Sequence, residues 1–195
     1  DILGRVSAVG ARVTKVSPGQ RVTMDPMISC TARGYAADNS CPSCSMGLHS
    51  TCERAGEGGI ARLDGRPMSA GLTIGYHRDS PGGGGEKVIA HQSQVFTVDD
   101  AVADNAAVLL EPLSIALHSV LATPPVDQEP VLVIGSGTIA LCTIWALRAT
   151  GFRGPLLAQA KREHERELAR ALGATEVVTP GPEARQALIE TGASA

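Results

Sequence analysis

The chain has 195 residues, a net charge of −3, 43% hydrophobic and 19% charged residues, the profile of an ordinary folded chain rather than a disordered one. A pI near 6.0 gives no electrostatic case for a nucleic-acid partner or an anionic membrane surface. Aromatic residues at 3% leave no base-stacking platform, and no apolar run approaches the length of a membrane span.

Residues 1–28 read as β structure, punctuated by Gly4, Gly10, Pro18-Gly19 and Pro26. Residues 29–59 carry Cys30, Cys41, Cys44 and Cys52 among small and polar residues, with too little apolar content for a core of their own. Residues 60–86 are glycine-rich and end in Pro81-Gly-Gly-Gly-Gly85, a turn or loop. A weak alternation over 87–98 predicts a strand. Residues 99–121 predict one helix, capped by Asp99 or Asp100, with Ala106, Leu109, Leu110, Leu113 and Leu117 at helical spacing.

The pattern changes near residue 129. Val131-Leu-Val-Ile134 predicts a buried strand, residues 135–140 a turn, and 141–150 a helix closed by Gly151. A second strand over 155–158, a helix over 163–172 with Gly173 at its end, a third strand over 176–179 and a helix over 182–190 follow. Alternation at this spacing means a parallel, doubly wound sheet. The chain is therefore α/β with a β-rich part first, divided as 1–125 and 126–195. It begins at Asp1 without Met and ends in Gly192-Ala-Ser-Ala195 just after a helix, so further chain is expected on both sides.

Two constellations carry chemistry. Gly135, Gly137 and Ala140 form a G-x-G-x-x-A turn between a strand and a helix, the context that dinucleotide binding requires. Gly135 permits the turn, Gly137 admits a pyrophosphate, and Ala140 lets the helix pack close. Thr138 and Ile139 complete the segment whose backbone N–H groups would face the phosphates. At the end of the second strand, Gln159 and Ala160 offer no carboxylate for a ribose hydroxyl. Lys161 and Arg162 stand there instead, which favours NADP over NAD, against the alternative of a solvated basic turn.

The second constellation is Cys41-x2-Cys44-x7-Cys52 with Cys30 upstream. Four thiolates in a core-poor segment predict a closed, structural Zn²⁺ site; unrelated reduced thiols are the alternative. Reduced cysteines and no secretory pattern fit a cytoplasmic protein. Cys142 reads as a small buried hydrophobe. Glu111, the one carboxylate in Leu109-Leu-Glu-Pro-Leu-Ser-Ile-Ala-Leu117, is either a ligand or active-site group or a partly exposed helix glutamate.

With these residues in place, the chain resembles the medium-chain, zinc-containing alcohol dehydrogenase superfamily. Residues 1–10 resemble the strand after its Gly-His-Glu motif, with Asp1 where Glu usually stands. Val16-Ser-Pro-Gly-Gln-Arg-Val22 resembles its Val-Gly-Asp-Arg-Val turn, with Gln20 in place of Asp. The cysteines resemble its C-x2-C-x2-C-x7-C lobe, Cys30 standing first and followed by an insertion. Residues 109–117 look most like the polyol (sorbitol-type) branch.

The resemblance implies a GroES-like β-barrel portion followed by the first half of a Rossmann domain. It implies that Glu111 corresponds to a carboxylate at a catalytic zinc, directly or through water, with Asp1 near the same metal. The catalytic Cys and His ligands of that family precede the position of Asp1. The implied activity is NAD(P)-linked hydride transfer between a secondary alcohol or polyol and its carbonyl compound, in a homodimer or homotetramer. A non-catalytic relative keeping the structural zinc, and perhaps nucleotide binding, is the alternative; Asp1, Gln20 and the lengthened cysteine loop favour it slightly, whereas the glycine turn and Glu111, each in the context it needs, weigh more for the enzyme. A catalytic Cys, and a His just before Asp1, in the upstream sequence would favour the enzyme.

Overall fold

A computed structural model describes residues 1–190 apart from 61, 64 and 81, so Pro81 of the glycine run and the tail Gly192-Ala-Ser-Ala195 lie outside the described residues. Two units divide the chain, Asp1–Leu109 and the part from Leu110 onward. The first holds β1 (Leu3–Arg5), β2 (Arg21–Met24), α1 (Pro42–Ser45), β3 (Arg62–Leu63), β4 (Arg66–Pro67), β5 (Val95–Thr97) and α2 (Asp104–Ala107). The second holds α3 (Leu110–Ala122), β6 (Val131–Ile134), α4 (Thr138–Ala149), β7 (Leu156–Gln159), α5 (Glu163–Ala171), β8 (Glu176–Val178) and α6 (Pro182–Glu190).

In the first unit β1, β2 and β5 form an antiparallel sheet with β2 central, in the register Leu3↔Thr23 and Thr23↔Phe96. The β structure is sparser than the alternation in the sequence suggests. Residues between β1 and β2 form a loop closed by Val6 N–H to the Gln20 carbonyl and Gly19 N–H to the Val6 carbonyl. Gln20 serves that turn itself, its Oε1 accepting from the Ser17 N–H at 2.7 Å. Only Val95–Thr97 of the strand expected over 87–98 is in the sheet. Just before it, the buried Gln94 amide donates to the Asp25 and Met27 carbonyls, 3.2 and 2.9 Å away. Met24, Ile28, Ala32 and Ile74 form the small apolar core beside the sheet.

The single helix expected over 99–121 is broken, for two reasons. Asp99 caps a turn, accepting from the Ala101 N–H at 2.8 Å, not a helix. The nearly inaccessible Arg21 guanidinium takes the Asp99 and Val102 carbonyls at 3.0 and 2.6 Å and pairs with Asp104. Pro112 then sets the second break. Its ring would clash with the Val108 carbonyl four residues earlier, so the helix restarts at Leu110, where Pro112 falls in the first turn and its missing N–H costs nothing.

In the second unit the parallel sheet has the order β6-β7-β8, with Val131 opposite Leu156 and Gln159 opposite Val178. The α4 helix starts at Thr138, three residues earlier than the sequence pattern suggests, directly after Gly137. Strand β6 is not buried throughout: Val133 is, but Ile134 is 74% exposed, because β6 has a strand neighbour on one side only among the described residues. The central strand β7 is the dry one, with Leu156, Leu157 and Ala158 inaccessible. Ala116 and Val120 of α3, Ile144 and Leu147 of α4, and Ala169 of α5 pack into the same core. Cys142 is buried in it, as expected of a small hydrophobe, and burial pushes its thiol pKa up. Gly173 ends α5 at φ +113°, and a Cβ there would lie 2.7 Å from Arg148 Cγ. Arg148 needs that space, because it donates to the Gly173, Phe152 and Gly154 carbonyls at 2.9–3.0 Å.

Arg21→Met should lower the unfolding free energy by about 2–4 kcal/mol, because it removes a buried guanidinium and its charge-assisted bonds to two carbonyls. Asp104→Asn should cost under about 1 kcal/mol, since that carboxylate faces water. Urea unfolding of both variants checks the difference.

Candidate functional site

The first unit brings four sulfurs together without an apolar core to do it. Tyr35 N–H returns to the Cys30 carbonyl, and a 3₁₀ turn over Ala37–Asn39 reverses the chain, so the ten residues after Cys30 bring Cys41 back beside it. Arg54 fixes that turn, donating to the Asn39 carbonyl and side chain while stacking 4.2 Å over the Tyr35 ring. Glu53 accepts from the Ser43 N–H and hydroxyl and so holds α1 against the segment carrying Cys52. The buried Arg33 donates to the Glu57 and Gly71 carbonyls and closes the far side.

The Sγ atoms of Cys30, Cys41, Cys44 and Cys52 lie within 4.8 Å of one another, and three of the four residues are buried. Cys30 and Cys52 sulfurs are 3.9 Å apart. Four sulfurs at about 2.3 Å from a tetrahedral zinc would stand about 3.8 Å apart, so the donor set fits Zn²⁺. Backbone N–H groups already face the sulfurs: Cys44 to Cys41, Cys41 to Cys30, and Cys30 to Cys44. The Cys44 N–H lowers the Cys41 thiol to about 6, whereas burial pushes Cys44 up to about 12 and Cys30 upward. The three thiols thus differ in readiness to ionise, and a bound dication favours the thiolate in each.

The second unit carries the glycine turn. Gly135 has φ +118°, which a side chain would strain, and its missing Cβ would fall 3.8 Å from the Ala140 methyl. A Cβ at Gly137 would meet nothing within 4 Å, so the backbone is open to approach. Gly137 is the N-cap of α4 and supplies no side-chain cap, leaving the N–H groups of the first turn, at Thr138, Ile139 and Ala140, available to an anion. These residues fit a pyrophosphate.

Lys161 and Arg162 follow β7 at the same sheet edge, both exposed. The chain itself carries no carboxylate over Gln159-Ala160-Lys161-Arg162. The structure brings one in: Glu165, in the first turn of α5, accepts from the Ser136 hydroxyl at 2.9 Å and lies 3.3 Å from the Arg162 guanidinium. The signal for it is a Glu three residues into a helix, where the side chain turns back to the N-cap N–H.

Glu111 is half-buried in the first turn of α3, and Asp1 is exposed. Among the described residues, the four cysteines are the one group of His, Cys, Asp and Glu side chains gathered closely enough to hold a metal, and neither Glu111 nor Asp1 is brought to other ligands.

A β-rich unit with a four-sulfur lobe, and a parallel unit with an open glycine turn, define the medium-chain dehydrogenase architecture: a GroES-like part followed by strands and helices of a Rossmann domain. Residues 1–100 match the alcohol dehydrogenase GroES-like domain, and the chain belongs to that family, the zinc-containing alcohol dehydrogenases. It is 29% identical over 186 residues to (R,R)-butanediol dehydrogenase of Saccharomyces cerevisiae, covering 92% of this chain and 44% of that protein. A Sinorhizobium meliloti structure assigned as a zinc-binding dehydrogenase and bound to NADP is 27% identical, with a TM-score of 0.69 over 93% of this chain and 46% of that one. An Escherichia coli alcohol dehydrogenase (rspB) complexed with NADH is 25% identical, with a TM-score of 0.73 over 97% of this chain and 49% of that one. The chain thus spans under half the length of these relatives. Among the described residues no helix is long and apolar enough to cross a membrane.

Purified protein should contain zinc that Cys44→Ser removes, measured by plasma emission spectrometry, with a lowered melting temperature. Wild-type zinc content in that variant would refute the site.

Proposed function

We propose that the complete protein is a zinc-dependent, NAD(P)-linked oxidoreductase that interconverts a secondary alcohol or polyol and its carbonyl compound. The observation that carries this reading is the open glycine turn at the N-terminus of α4, in a chain that also folds a four-sulfur lobe. In it, Cys30, Cys41, Cys44 and Cys52 hold a structural zinc and have no catalytic part, since a closed four-sulfur site leaves no open position. Gly135, Gly137, Thr138, Ile139 and Ala140 hold the cofactor's pyrophosphate on backbone N–H groups, and Lys161 and Arg162 meet its ribose end. Relatives carry either cofactor, so the preference for NADP rests on those two cations. Glu111 contributes a carboxylate to the catalytic zinc, directly or through water, with Asp1 nearby; that metal's role is to polarise the substrate oxygen. Reduced thiols suit a cytoplasmic protein, and a homodimer or homotetramer is the proposed assembly.

Two measurements on the complete protein test this reading. Secondary alcohols and polyols should reduce NADP, followed by the absorbance of the reduced nicotinamide, and Glu111→Ala should lower turnover about 10–100-fold without loss of fold. No turnover with any such alcohol or carbonyl compound would refute the activity. Calorimetric titration should give NADP about 10–100-fold tighter binding than NAD, the worth of one charge-assisted phosphate contact, and Arg162→Ala should erode most of that difference. Equal or tighter binding of NAD by the wild type would refute the preference.

A further inference from the structure

Ser136, Arg162 and Glu165 form a small network at the sheet edge where the proposed ribose end of the cofactor falls. Glu165 is its centre. Its side chain is only 16% exposed, against 72% for Arg162. One oxygen, Oε2, accepts from the Ser136 hydroxyl at 2.9 Å and from the Arg162 N–H at 3.0 Å. The other, Oε1, lies 3.3 Å from Arg162 Nη1. The Arg162 N–H, then the Ser136 hydroxyl, hold the carboxyl below the usual range, so it is ionised at neutral pH. The neighbouring cation Arg166 is already committed to Glu163 and the Lys161 carbonyl. Lys161 forms no ion pair among the described residues.

The two forms of cofactor meet this network differently. A 2′-phosphate brings about −1.5 to −2 charge, which a carboxylate on the same arginine repels. An unphosphorylated ribose brings hydroxyls, from which a carboxylate accepts.

We infer that Glu165 is a specificity-determining residue: by holding Arg162 and Ser136 it restrains binding of 2′-phosphorylated cofactor, which must displace it, and leaves unphosphorylated cofactor unpenalised. The inference rests on the reading that the ribose end of a nicotinamide cofactor meets this edge. It holds whichever cofactor the wild type prefers.

The test is calorimetric titration of the complete protein and its Glu165→Gln variant with NADP, NAD, 2′,5′-ADP and 5′-AMP. The variant keeps an acceptor for the Ser136 hydroxyl and the Arg162 N–H but loses the charge. The ratio of NADP to NAD affinity should rise about tenfold, with 2′,5′-ADP gaining over 5′-AMP in the same proportion. A merely structural role would weaken all four alike. A ratio within about twofold of wild type overturns the inference. A wild type that binds NAD as tightly as NADP overturns the NADP preference alone, because the variant's shift is read against its own wild type.

A second measurement needs no variant. In wild-type crystals soaked with 2′,5′-ADP, the Arg162 guanidinium should leave Glu165 for the phosphate. Phosphate bound with the Arg162–Glu165 pair intact overturns the inference.

Discussion

The convergence of four cysteine sulfurs is the constraint on which the first unit depends. Residues 29–59 have little to bury, and the apolar contacts around the sulfurs are few: Tyr35 and Leu72 are the neighbours packed there. What gives this segment its shape is a set of polar staples, each tying a cysteine-bearing stretch to another part of the lobe. Arg54 on Asn39, Glu53 on Ser43, and Arg33 on two carbonyls are the principal ones. Several of them are exposed, and exposed pairs contribute little individually. A metal on the four sulfurs would supply free energy that such a lobe otherwise lacks, because the gathered site exists only in the folded chain and metal binding therefore favours folding.

The second unit is held differently. Its parallel sheet is stabilised by burial of β7 against helices that share one apolar core, each fully buried Leu or Ile side chain contributing about 1.5–3 kcal/mol. The glycine turn follows directly on β6 of that sheet, with Gly135 beside the Ala140 methyl and the Ser136 hydroxyl held by Glu165. The Gly137 position is open to approach at the carboxyl edge of the sheet, where α/β folds bind ligands.

Much of this was legible in the sequence, and the parts that were not have physical causes. Helix periodicity and glycine punctuation located β6, β7, α4 and α5, since those elements depend on local pattern. The break at Val108 depends on a clash between Pro112 and a carbonyl four residues earlier, which the spacing of Leu109, Leu110 and Leu113 conceals. The strand expected over 87–98 shortens because Gln92–Gln94 form a 3₁₀ turn, capped by His91 and anchored by the Gln94 amide on carbonyls nearly seventy residues away in sequence. Such long-range partners leave no periodic trace. The place of Cys30 beside the other three sulfurs was legible only as chemistry, because ten intervening residues hide the reversal that returns the chain to Cys41.

Glu165 shows the same limit at the site. A carboxylate near the end of the second strand is expected one residue either side of Ala160, where the extended chain could present it. An α-helix offers another route: its first turn carries a side chain back toward the N-cap, so a residue three positions beyond Arg162 reaches its N–H. The ion pair and the link to Ser136 follow from that one turn of helix. A basic pair read from sequence as two free cations is therefore, in the folded chain, one exposed lysine and one arginine already sharing a carboxylate. Charge at this edge has to be counted after the helix has formed, with Glu165 included.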